Sequence, residues 1–166
     1  MTWEDFLNDS ELNDEAARDR TVYPGPPNGE LLLRQVSHDV RGCLNTFINI
    51  APGIQLLTDR ISASTLECVS RWTPIVYAWR SEILAVHATT ETLSATSPEW
   101  AQKVARIGDI VHEAPKFRAE MESLVPPDDA TAQSLIQLAT NKVILLDHLW
   151  HDIQVQEYKR LYRMRG

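Results

Sequence analysis

Apolar residues recur at intervals of three and four along most of the chain, the spacing that gathers them on one side of an α-helix. From Glu30 they fall at Leu32, Leu33, Val36, Val40, Leu44, Phe47, Ile48, Ala51 and Ile54. Pro52 and Gly53 should kink or end that helix; if it resumes, Ile54, Leu56 and Leu57 form its last turn. A second stripe, Leu66, Val69, Trp72, Val76, Trp79, Ile83 and Val86, predicts a helix from about Ser64 to Ala95 with Pro74 as a bend. Another opens where Ser97 precedes a proline at the first helical position and runs to about Leu124, where Pro126 and Pro127 stop it. The last, capped by Asp128 or Asp129, runs from about Ala130 to Tyr162 with Leu135, Leu138, Val143, Leu146, Leu149, Ile153 and Tyr158 facing inward.

The beginning of the chain reads differently. Residues 1–20 hold a short acidic helix over 3–18, with Thr2 as its cap and Trp3, Phe6, Leu7 and Leu12 as its apolar side. Glu4, Asp5, Asp9, Glu11, Asp14 and Glu15 make either a solvated face or an acidic docking arm. Residues 21–29 then form a loop, because PGPPNG places three prolines and two glycines in six positions. Period-two alternation is absent, so no strand is expected. The prediction is an all-α fold: residues 1–166 as one helical domain, with four long helices bundled over 30–166 behind the short leading one.

Charge narrows the function. Sixteen Lys and Arg against 23 Asp and Glu leave a net charge of -7, which argues against a nucleic-acid partner. The basic stretch KRLYRMRG at the end is too short to reverse that balance. No apolar run approaches the roughly 20 residues of a membrane span, so no membrane partner is expected. Cys43 and Cys68 have no CxxC spacing and the N-terminus has no secretory pattern, so a reducing cytoplasm is the expected location.

Five histidines carry the candidate chemistry. His87 with Glu91, and His112 with Glu113, read as solvated or core-edge side chains on helices. His148 and His151 are three apart and flanked by Asp147 and Asp152, a set suited to a transition metal in a four-helix bundle. In length and histidine placement the chain is similar to the DinB-like metal-dependent bundles, although their last-helix histidines are spaced by four. The simpler reading is that one histidine of the pair packs and the other is solvated, with no metal bound.

The richest constellation is SHDVRGCLN at 37–45. It resembles the phosphoacceptor box of the histidine kinases, with Ser37, His38, Asp39, Val40, Arg41, Leu44 and Asn45 filling seven of its nine places. The likeness covers residues 31–57. It implies a dimerisation and phosphotransfer domain, a homodimer, and a response-regulator receiver domain or a histidine kinase as partner. It also implies phosphotransfer through His38, with Asp39 orienting the imidazole, Arg41 pairing with phosphate or with an acid on the partner, and Asn45 completing the box.

Imidazole suits such a transfer, since near neutral pH one ring nitrogen keeps a free lone pair while the other donates to a carboxylate. Gly42 stands where the family usually has the threonine or asparagine that positions water for dephosphorylating a partner, and Cys43 stands where it has proline. The family's ATP-binding domain has no counterpart, since six glycines form no GxG or DxGxG pattern. Neither autokinase activity nor a cofactor is expected. The other reading is a non-catalytic helical interaction scaffold.

Overall fold

The structure is a computed structural model that describes residues 33–89 and 99–165. The acidic segment and Pro/Gly loop expected over 1–29, Leu32, the Ser97 cap and the expected helical stretch 90–95 all lie outside those residues. Within them the chain is all-helical: α1 (Leu33–Gln55), α2 (Ala63–Ala88), α3 (Glu99–Ile110), α4 (Ala114–Glu122) and α5 (Ala130–Arg165).

The stripe on α1 is buried from Leu33 through Ile54 at every predicted position. Pro52 has no N–H to give to the preceding turn, yet α1 continues to Gln55 before a turn in which Leu56 N–H bonds to the Pro52 carbonyl at 3.1 Å. Leu56 therefore lies beyond the helix and is exposed. On α2, Ser62 caps the first turn by accepting from the Thr65 N–H at 3.2 Å, Pro74 lies inside the helix, and the helix closes at Thr89.

The helix expected over 97–124 is two. After Ile110 the chain turns through 111–113 and restarts at Ala114. Pro115 explains the break, because its ring would meet the carbonyl of Val111 in a continuous helix, whereas it fits the first turn of a new one. At α5 the choice between two caps resolves to Asp129, whose Oδ2 accepts from the Ala132 N–H at 3.0 Å.

α1 packs along both α2 and α5, and α3 and α4 close the fourth side, so the bundle's core forms within one chain. Arg60, just past α1, lies 3.9 Å from Asp129 at the start of α5, so α1 and α5 run antiparallel. An aromatic cluster ties three helices together. Phe117 of α4 stacks on Trp72 and meets Phe47 of α1 edge-on at 5.0 Å and Trp79 at 6.2 Å. Gly108 lets α3 approach α5 at Ile153. Tyr158 corrects the inward reading of α5: it is 71% exposed, five positions beyond the buried Ile153. No helix among the described residues is long and apolar enough to cross a membrane.

Candidate functional site

Val36, Val40, Leu44 and Phe47 turn inward on α1, and that register sends the residues between them to the outer face. His38, Arg41 and Asn45, at spacings of three and four, share one outer stripe. The His38 side chain is 58% exposed, and its Nδ1 lies 3.3 Å from Asp39 Oδ1. A carboxylate accepts only, so Nδ1 is the donor in that contact, and Nε2 is the other ring nitrogen of the exposed imidazole. Arg41 is half-buried.

Two residues of α2 complete the surroundings, and neither is legible from spacing along the chain. Ser37 is buried; its hydroxyl donates to the Arg34 carbonyl at 3.2 Å and sits 3.3 Å from His87 Nδ1. Arg80 Nη1 donates to Asn45 Oδ1 at 3.4 Å, with its guanidinium 5.5 Å from the Tyr77 ring centroid. Asn45 is thus held toward α2. His87 lies 50 positions from Ser37 and Arg80 lies 35 from Asn45, distances at which a helical period carries no signal. Inside Gly42–Thr46 the threonine hydroxyl donates back to the Gly42 carbonyl at 2.9 Å, a local helix bond unrelated to the box chemistry.

The second constellation has a different use. Asp147 is only 4% exposed, and its Oδ2 accepts from Arg118 Nη1 at 3.0 Å. His151 Nδ1 lies 3.2 Å from Asp147 Oδ1, but its proton goes to the Asp147 main-chain carbonyl at 2.9 Å, leaving Oδ1 an electrostatic neighbour without a hydrogen bond. Asp152 has its carboxyl pushed up by burial, against the opposing pull of His148 and His151. Among the described residues no three His, Cys, Asp or Glu side chains converge as metal ligands.

His112 is exposed, with Nδ1 2.9 Å from the Asp109 carbonyl at the end of α3, where a histidine caps a helix terminus. Cys43 and Cys68 are both buried. Burial, with the nearby Glu120, raises the Cys68 thiol above its usual range.

Comparison of the chain with models of protein families, with curated proteins and with solved structures gives no match in any of the three.

Proposed function

We propose that this bundle is a histidine-phosphotransfer-like element of two-component signalling, exchanging a phosphoryl group between His38 and the aspartate of a response-regulator receiver domain. The observation that carries the reading is the open imidazole of His38 with its Nδ1 set against Asp39 on the outer face of α1. Nε2 attacks the phosphorus of an aspartyl phosphate. The P–N bond forms as the P–O bond to the aspartate breaks, and the carboxylate leaves with the electron pair. Asp39 faces the Nδ1–H and offsets the positive charge that develops on the ring. Arg41 lies one turn away on the same stripe, placed to meet phosphate oxygens. The bundle closes within one chain, so one copy presents a complete site, and a homodimer presents two.

The test is transfer from receiver domains carrying radiolabelled aspartyl phosphate, drawn from a panel of response regulators. The expected result is an acid-labile, base-stable label on the wild-type chain that His38→Gln abolishes and His148→Gln with His151→Gln leaves intact. Asp39→Asn should slow transfer more than it weakens receiver binding. Label that persists in His38→Gln, or no transfer from any member of the panel, overturns the reading.

A further inference from the structure

The end of α5 carries a row of exposed large side chains. α1 and α5 are antiparallel and α5 starts beside the turn that follows α1, so the residues of α5 beyond Ile153 lie at the end of the bundle where Leu33 stands. Among the described side chains of α5, the last buried one is Ile153.

Beyond it, Val155, Tyr158, Leu161 and Tyr162 are all exposed large side chains, and their spacing of three and four lines them along one face. Tyr158 and Tyr162 stack at 6.5 Å. Lys159 and Arg160 flank this face, Arg160 paired with Glu157 at 2.9 Å, and Arg163 and Arg165 follow in the sequence.

An apolar row set among cations specifies an occupant that is apolar and acidic. A parallel second copy of α5 would bring Lys159 and Arg160 against their own kind. The chain supplies a better match. Residues 1–20 combine Trp3, Phe6 and Leu7 with Glu4, Asp5, Asp9, Glu11, Asp14 and Glu15, and they precede Leu33, which stands at that same end of the bundle. We propose that residues 1–20 dock on the Val155–Tyr162 face of α5 in the same chain, aromatic on aromatic, with their carboxylates against the basic flank. This arrangement stands independently of phosphotransfer at His38.

The experiment is zero-length carbodiimide cross-linking of full-length protein mixed equally in unlabelled and nitrogen-15 forms, read by mass spectrometry. Cross-links between Lys159 and carboxylates of residues 1–20 should appear, all between like-labelled peptides. Trp3→Ser with Phe6→Ser should lower their yield at least tenfold and speed amide exchange over 155–162. Tyr158→Ser with Tyr162→Ser, both at exposed positions of the bundle, should lower the yield equally. The proposal is overturned by absence of these cross-links, by mixed-label products, which would assign the face to a second copy, or by a yield that either double variant leaves unchanged.

Discussion

The indole of Trp72 lies flat against the ring of Phe117, centroids 4.4 Å apart and planes 13° from parallel. That stack joins α2 to the short α4, and Phe117 also touches Phe47 and Trp79. Truncating Phe117 would leave a cavity bounded by three large rings that cannot all collapse inward. Phe117→Ala is expected to cost about 3–5 kcal/mol, read as a lower denaturant midpoint at unchanged slope and as altered tryptophan emission.

Gly108 marks a contact that admits no side chain. A methyl group there would lie 2.7 Å from Ile153 Cγ2 and 3.0 Å from Gln154 Nε2, and Ile153 is itself buried. Gly108→Ala is expected to destabilise by about 1–3 kcal/mol, as overpacking does. In a double-mutant cycle with Ile153→Ala, which removes the clashing methyl, the two costs should sum to more than the double variant loses. Simple additivity would show that α3 and α5 do not meet there.

Glu120 sets a pH dependence. Burial pushes its carboxyl up, but the combined pull of hydrogen bonds from Arg71, at 2.9 and 3.0 Å, and from the Trp72 indole, with the charges of Arg71 and Lys116, holds it below the usual carboxylate range. A carboxylate depressed in the folded state contributes stability above its unfolded value, and that contribution is lost as pH falls through the folded one. Glu120→Gln should therefore be less stable than wild type at neutral pH, with the gap closing on acidification. A gap constant down to strong acid would remove Glu120 from that role.

Arg118 and Asp147 form an asymmetric pair in which the carboxylate is buried and the guanidinium half-open. Arg118→Met would leave the buried Asp147 carboxylate without its guanidinium partner. The expected loss is about 2 kcal/mol, less than for a fully buried pair because water reaches Arg118. Asp147→Asn in the Arg118→Met background should recover part of it, measured by thermal unfolding. No recovery would mean that the arginine stabilises by packing alone.

The helices are legible in the sequence because burial on a helix is periodic, and a period is local information. The stripe from Leu33 to Ile54 and the row from Val69 to Val86 are buried where their spacing places them. His38 stands on the outer face of α1 for the same reason: it falls between inward positions. Where spacing and structure part, the deciding atoms lie elsewhere. Tyr158 keeps the inward period of α5 yet is exposed, because a side chain is buried only if another element covers it. The break at 111–113 is written in Pro115, whose ring conflicts with the preceding turn, and the apolar spacing that continues across it hides the break.

Amphipathic spacing alone thus determined an all-helical bundle and put an imidazole beside a carboxylate on its surface. Only the tertiary structure decided which helices meet, how far each is covered, and which distant side chains come together: His87 against Ser37, Arg80 against Asn45, Arg118 against Asp147. The physical reason is range. Periodicity and capping act over a few residues of one helix, whereas these contacts depend on the register of helices brought together by burying a shared core.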